Sequence, residues 1–340
     1  MHVLRILGAA EHNLKNLNVT IPLNRLVCIT GVSGSGKSTL IQDVLYNALA
    51  KLKHKPIEQP GRHRAITGHE QIADVIMVDQ SPIGRTTRSN PASYVGAFDA
   101  IRKLFAAQPL ARERSYTAGT FSFNSCEGRC PTCSGNGFQH IEMQFLSDVY
   151  LRCPDCDGRR YRREILDAKI GSIGVPACAS DNPKTKITGT EAYATKSKSI
   201  ADVLDITVNE ACELFSGHAD ILSGLEPLRA VGLGYIKLGQ PVPTLSGGEA
   251  QRLKLAGHLV GQASSLSNSP KGKLEARPTL FLFDEPTTGL HFDDIATLLK
   301  AFDQLLARGH SLVVIEHNLD DIRAADWIIE IGRASCRERV

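Results

Sequence analysis

This sequence has no surplus of either charge. Its 340 residues hold 39 Lys and Arg against 36 Asp and Glu, a formal net charge of +3. Attraction to nucleic acid or to an anionic membrane as a whole-chain property is thereby excluded, and any such surface must arise from local clustering. No apolar run reaches the ~20 residues that span a bilayer, and the opening MHVLRILGAAEHNL turns polar after one short strand-like stretch. Neither a membrane partner nor a signal peptide is expected, and the chain is expected to be soluble and cytoplasmic. Without an export signal, the nine cysteines have no oxidising compartment, so metal is the better reading for the four that fall in Cys-x-x-Cys pairs. The length suffices for two domains, or for one domain with a large insertion.

The two ends read as halves of one α/β domain. LVCIT (26–30), DVIMVDQ (74–80), TLFLFDEP (279–286), SLVVIEH (311–317) and WIIEI (327–331) are short runs rich in Val and Ile, as buried parallel strands are, and helix-like segments follow several of them. Between about 86 and 240 that alternation gives way to Gly, Cys, Arg and turn residues. The expected organisation is a core in two parts, 1–85 and 241–332, around an insertion at 86–240 with a cysteine module at about 121–162. Within the insertion, 174–199 is polar and aperiodic and reads as a mobile surface loop. The final stretch IGRASCRERV breaks the pattern, and residues 333–340 are expected to be foreign to the gene.

GVSGSGKST (31–39) follows the LVCIT strand and precedes a helix-like run. This is the phosphate-loop pattern in its strand–loop–helix context. Gly31, Gly34 and Gly36, with Ser33 and Ser35 between them, let backbone amides converge on a β-phosphate. Lys37 is expected to reach the β- and γ-phosphates, and Ser38, followed by Thr39, to ligate Mg²⁺. ATP and Mg²⁺ are the implied ligands. At the other end Asp284 and Glu285 close an apolar strand, where Asp284 suits the Mg²⁺ shell and Glu285 suits polarisation of an attacking water. His317 and Gln80 end two further strands and are expected to contact the γ-phosphate and the metal. A single His or Gln at a strand end is ordinarily structural; the company raises these two. In TLSGGEAQRLKLAGHL (244–259), Ser246, Gly247, Gly248 and Glu249 form a helix start whose free amides and dipole suit an anion, although an ordinary N-cap reads the same way.

Cys130, Cys133, Cys153 and Cys156 are spaced C-x₂-C-x₁₉-C-x₂-C, near the two-knuckle pattern of a tetrahedral Zn²⁺ site. Four thiolates leave no open position, so such a zinc is structural. Around it, residues 81–165 hold twelve basic residues against eight acidic ones, and eleven of the twelve are Arg. Arginine suits bidentate phosphate contact, so Arg85, Arg88, Arg129, Arg159 and Arg160, with Phe121, Phe123, Tyr150 and Tyr161 interleaved, form a candidate nucleic-acid surface. A solvated face with local ion pairs has the same composition.

LSGGE (245–249) resembles the signature of ABC-type ATPases, and the phosphate loop, Gln80, LFLFDEPTTGLH (280–291) and His317 follow in that family's order. The resemblance implies that Ser246, Gly247 and Gly248 cap the γ-phosphate of ATP held by an opposite half. DQSPIGRTTRSNPASY (79–94), FSFNSCEGRCPTCSGNGF (121–138), MQFLSDVYLRCPDCDGRRY (143–161) and GLGYIKLGQPVPTLSGGEAQRLKLA (232–256) resemble the C-terminal ATPase half of the UvrA family, over nearly all of residues 1–331. That likeness implies ATP hydrolysis coupled to damage recognition on duplex DNA in nucleotide excision repair, without nuclease activity of its own. It also implies Arg85 and Arg88 facing DNA with the zinc hairpin beside them, a homodimer or second ATPase half, and a UvrB-like partner docking through that other half. Three features depart from the family's pattern: Cys126 as a spare thiol competing for metal, the length of 174–199, and a single phosphate loop with a single signature. A transporter or drug-resistance ATPase and a chaperone-type zinc module stay open as alternatives.

Overall fold

The structure is a computed structural model that describes residues 2–55, 58–81, 83, 88–141, 149–171, 197–267, 278–288, 290, 292–332 and 336–339. It divides into two compact units, the first made of 1–82, 230–232 and 246–340, the second of 83–229 and 233–245.

The chain opens with β1 (Val3–Ala9), β2 (Leu17–Pro22), β3 (Leu26–Thr30), β4 (Ala65–Thr67) and β5 (Asp74–Val78). The second unit contributes two short antiparallel pairs, β6 (Phe138–Ile141) with β7 (Val149–Arg152), and β8 (Lys169–Ile170) with β9 (Lys198–Ser199). The first unit then resumes with β10 (Thr279–Asp284), β11 (Ser311–Ile315), β12 (Trp327–Ile331) and β13 (Cys336–Arg339). Its main sheet has the order β13-β12-β3-β11-β10-β5, and β2, β1 and β4 form a separate antiparallel sheet.

All five apolar runs found in the sequence lie in the main sheet and pair in parallel with one another. A parallel strand is covered on both faces, which is why these runs lack polar alternation. Ile29, Leu282 and Val313 belong to a core cluster shared with the helix after the phosphate loop. Beside them Phe281 and Phe283 stack, and Phe283 meets Phe302 of the helix Phe292–Ala307 at 4.8 Å. The register decides function. Asp284 pairs with Ile315, Phe283 with Val78 and Ile315 with Ile29, so four strands end level at one edge of the sheet.

Beyond Ile331, residues 336–339 of the stretch expected to be foreign form β13, antiparallel to β12. An open sheet edge offers backbone donors and acceptors to any extended chain that returns to it. Pairing there is sequence-tolerant, so the strand bears on shape and not on origin.

The second unit packs around aromatics. Phe98 stacks on Phe123 at 5.1 Å, Phe105 meets Phe121 at 5.6 Å, and the Tyr161 hydroxyl donates to the Phe121 carbonyl at 2.8 Å. Phe121, Phe123 and Tyr161 are fully buried. Their expected part in a nucleic-acid surface is therefore corrected: they form this unit's core, and the Tyr150 side chain lies outside the described residues. Capping boxes at Ser199–Asp202 and Thr207–Glu210 start two of its helices. The polar stretch expected to be a surface loop falls mostly at 172–196, outside the described residues, while its end at Lys198–Ser199 forms β9.

Candidate nucleotide site and metal centre

Each of the four level strand ends delivers one part of a site. From β3 the chain enters the phosphate loop at Gly31, whose φ of 144° suits glycine. A Cβ there would lie 2.3 Å from the Ile331 carbonyl, so a side chain at this turn would collide with the end of β12. Asn13 donates to the Gly34 carbonyl and steadies the loop from outside. Ser33 and Ser38 are exposed and Thr39 half-buried. Ser35 is buried, and its hydroxyl has no hydrogen-bond partner among the described residues. Lys37, also buried, rests its Nζ on the carbonyls of Gly31 (2.9 Å) and Val32 (3.1 Å). Burial pulls the Lys37 pKa down, and the Glu285 and Asp284 charges oppose it. A buried hydroxyl and a buried ammonium held only by loop carbonyls are donors that suit an anion.

Asp284 ends β10, and its pKa is pushed up by burial and then by the charges of Glu285 and Asp79. Glu285 follows with φ of 46°, a left-handed conformation that turns its side chain out of the strand path. His317 Nε2 lies 3.7 Å from Glu285 Oε1, and Gln80 Nε2 donates to the Glu285 carbonyl at 3.4 Å. The structure thus brings Gln80, Asp284, Glu285 and His317 together from three strands. Bound nucleotide in such a place would meet Lys37 and two carboxylates, one of which disfavours its own charge.

The helix Gly247–Ser267 begins beside the same group. Ser246 and Glu249 close a reciprocal box, Ser246 N–H to Glu249 Oε2 at 2.8 Å and Glu249 N–H to Ser246 Oγ at 3.3 Å. A Cβ on Gly247 would lie 3.1 Å from Gln80 Oε1, and one on Gly248 3.3 Å from the Thr288 carbonyl. Gln80 therefore bonds the Glu285 backbone and leaves little room for a side chain at the first glycine of the signature turn.

Sequence reading missed the scaffold behind these residues. Gln251 is buried and donates to the carbonyls of Val78 (2.8 Å) and Asp284 (3.0 Å), tying the signature helix to β5 and β10. Lys254 pairs with Asp79 at 2.5 Å and also bonds Ser81. Burial raises the Asp79 pKa, but the hydrogen bonds from Lys254 and Ser81 outweigh it and hold the carboxyl low. Glu316, buried, accepts from Thr287 N–H and Oγ1 and from His317 N–H, shaping the turn after Glu285. The only signal was position: each lies within a few residues of a motif.

In the second unit Cys130, Cys133, Cys153 and Cys156 are buried, with all four Sγ within 4.8 Å of one another. Cys133 and Cys156 are 3.6 Å apart and Cys130 and Cys153 4.0 Å apart, against about 3.8 Å for sulfurs tetrahedral at 2.3 Å around zinc. The two knuckles repeat one conformation: Ser134 and Gly135 have φ of 51° and 82°, Asp157 and Gly158 φ of 47° and 79°. Thr132 and Asp155, at the same place in each, bond each other. Burial pushes the Cys133 and Cys156 thiols up; at Cys153 the amides of Cys156 and Asp155 outweigh burial. Four donors of this kind fit a divalent, thiophilic ion. Cys126 is exposed and stands outside this cluster.

The candidate DNA-facing arginines separate. Arg159 is exposed, Arg129 half-buried in a bridge to Tyr161, and Arg88 donates its Nε to Asn136 of the first knuckle at 3.1 Å. Arg85 lies outside the described residues. Arg160 is corrected: it is buried, with Nη2 on the Gly239 carbonyl at 2.9 Å and its guanidinium 5.2 Å from the Phe123 ring centroid. It belongs to the interior and not to a surface. No helix among the described residues is long and apolar enough to cross a membrane.

No protein-family model matches the chain. UvrABC system protein A of Aquifex aeolicus is 50% identical over 329 residues, covering 97% of this chain and 32% of that protein. Its counterpart in Thermus thermophilus is 50% identical over 325 residues, covering 96% of this chain and 30% of that protein. The crystal structure of UvrA2 from Deinococcus radiodurans superposes with a TM-score of 0.77 at 42% identity, covering 96% of this chain and 35% of that one. The chain spans about a third of the length of the curated relatives it matches. Over almost its whole length, then, this chain is a homologue of the UvrA proteins, built on an ABC-type ATPase fold with an inserted four-cysteine module.

Proposed function

We propose that this chain is one ATPase half of a UvrA-type machine that binds duplex DNA and uses ATP binding and hydrolysis to recognise damage in nucleotide excision repair. The observation that carries the reading is the convergence of Lys37, Gln80, Asp284, Glu285 and His317 at the level ends of four strands. Open α/β sheets bind ligands at this carboxyl edge.

In this reading the amides around Gly34 and Gly36 hold the β-phosphate, with Ser33, Ser35 and Thr39 lining the loop, and Lys37 leaves its loop carbonyls for phosphate oxygens. Mg²⁺, when bound, neutralises phosphate charge; Ser38 and Asp284 are the residues that would hold it, with Gln80 beside them. Glu285 orients and deprotonates water, and His317, 3.7 Å away, fixes the carboxylate and contacts the γ-phosphate. Gly247 and Gly248 present their amides to a γ-phosphate held by a second half, supplied by a homodimer or another ATPase segment, with Ser246 and Glu249 holding the turn. Gln80, packed close to Gly247 and bonded to the Glu285 carbonyl, is the residue through which a change at the nucleotide reaches the signature turn in this reading.

Zn²⁺ is the ion proposed for the four cysteines, as a closed structural site. Arg85, Arg88, Arg129 and Arg159 are the proposed DNA contacts, the machine works in the cytoplasm, and a UvrB-like protein docks through the other half. The test is a pair of variants. Lys37→Ala is expected to lose ATP binding, because Lys37 neutralises phosphate in ground and transition states alike. Glu285→Gln is expected to bind ATP normally and to lose turnover by ~10²-fold or more, because Glu285 acts on water. Equal ATP affinity in wild type and Lys37→Ala would overturn the assignment.

A further inference from the structure

Arg160 sits where two costs combine. It is a guanidinium with 4% exposure, on backbone with φ of 71°. A left-handed conformation is strained for a residue with a Cβ, and burying a cation without a counter-charge is costlier still. Glycine would remove the first and an apolar side chain the second, so the arginine must make interactions that outweigh both.

Two are plain: the hydrogen bond from Nη2 to the Gly239 carbonyl and the stacking over Phe123. A carbonyl and a ring face do not balance a full charge. Among the described residues Nη1 is buried without a hydrogen-bond partner, and no carboxylate pairs with the guanidinium. Burial disfavours its charge, and Tyr161, Cys133 and Cys156 are the ionisable neighbours whose negative forms would favour it. Its own amide points at the Cys156 sulfur, and its carbonyl accepts from Cys130 N–H at 2.8 Å. Four thiolates around one divalent ion carry a net charge of about −2, which is the missing counter-charge.

We propose that Arg160 is the counter-cation of the four-cysteine metal site and the latch through which that site holds the segment 233–245 in place. The proposal rests on the metal reading of the cysteines. Gly239, which takes the latch, is fixed from the other side: its amide donates to the Leu204 carbonyl at 2.7 Å, and a Cβ there would lie 2.8 Å from Leu204. The segment is clamped between the helix Ile200–Asp205 and Arg160. A second tie leaves the other knuckle, where Asn136 accepts from Arg88 and the neighbouring Ser89 carbonyl accepts from Val242 N–H at 2.8 Å. Residues 233–245 run in sequence straight into Ser246. Metal occupancy therefore governs the order of the strap that leads to the signature turn: without the thiolate charge Arg160 loses its reason to stay buried, and Gly239 is released.

The test uses the full chain as wild type, Arg160→Met and Arg160→Lys, with zinc affinity read by chelator competition and amide exchange read across 237–245. Arg160→Met is expected to weaken zinc ~10–100-fold, as loss of an outer-shell partner does. Arg160→Lys, which keeps the charge, is expected to lose less than the ~10-fold that marks loss of an outer-shell partner. Exchange at 237–245 in the zinc-loaded Met variant is expected to rise to the level of zinc-stripped wild type, with β10 and β11 unchanged in both. Unaltered zinc affinity in the Met variant, or protection at 237–245 indifferent to zinc, would overturn the proposal. Should the Met variant fail to fold, the Lys variant decides, since a large loss of zinc affinity with the charge retained contradicts the counter-cation role. Wild type that binds no zinc overturns the metal reading and this proposal with it, whereas zinc bound equally by all three overturns this proposal alone.

Discussion

Adjacent residues of one type can have opposite fates, and Arg159 and Arg160 show why. The first is exposed and the second buried, because the left-handed turn at 160 redirects its side chain inward. Nothing in the string GRRY distinguishes them. The phosphate-loop residues were legible because their chemistry is local: glycines, lysine and hydroxyl act within nine consecutive positions. Gln251 and Lys254 were not, since their partners Val78 and Asp79 lie 173 and 175 residues away in sequence. Asp284 carries a prediction at this scale. Burial and the Glu285 and Asp79 charges raise its pKa in the folded chain, so the ionised form is disfavoured by folding, and stability falls as pH rises past the unfolded carboxylate's pKa. Asp284→Asn is therefore expected to raise the melting temperature at neutral pH by about 1–4 °C while abolishing turnover. A lower melting temperature at pH 7, or a gain that persists at pH 3, would contradict this account of the site's strain.

Elements were legible where one period ruled. The five Val- and Ile-rich strands stood out because both faces of a parallel sheet are buried, and their order in space follows from register that no single run encodes. The knuckles were visible by spacing alone, yet their repeated left-handed pairs at Ser134–Gly135 and Asp157–Gly158 appear only in three dimensions. The aromatic residues of the insertion misled, because a core aromatic and a stacking platform are written with the same letter. Zinc thiolate sites stabilise what lies around them, and the first unit has its own sheet core. One zinc per chain is thus expected, and its removal is expected to raise proteolysis within 121–162 while the transition of the first unit stays put. Metal analysis of protein prepared without chelators, followed by a melt with and without chelation, checks both; a zinc-free preparation, or a first unit that melts with the metal, would refute them.

At the scale of the whole molecule, a balanced composition hides an uneven sequence, with twelve basic residues against eight acidic ones in 81–165. If the arginines around the cysteine module meet phosphate, replacing Arg85 and Arg88 by Ala should weaken duplex binding and flatten its salt dependence by about one unit per lost contact. An unchanged slope would place DNA elsewhere. The chain carries one phosphate loop and one signature, and in the proposed mechanism these serve different ATP molecules. Activity is then a property of association, and mass action governs it. The most direct measurement is ATP turnover per chain across a hundredfold dilution, with mass followed in parallel. The account predicts a low rate that climbs steeply with concentration as dimer forms; a rate that stays flat while the mass remains that of a monomer would contradict it.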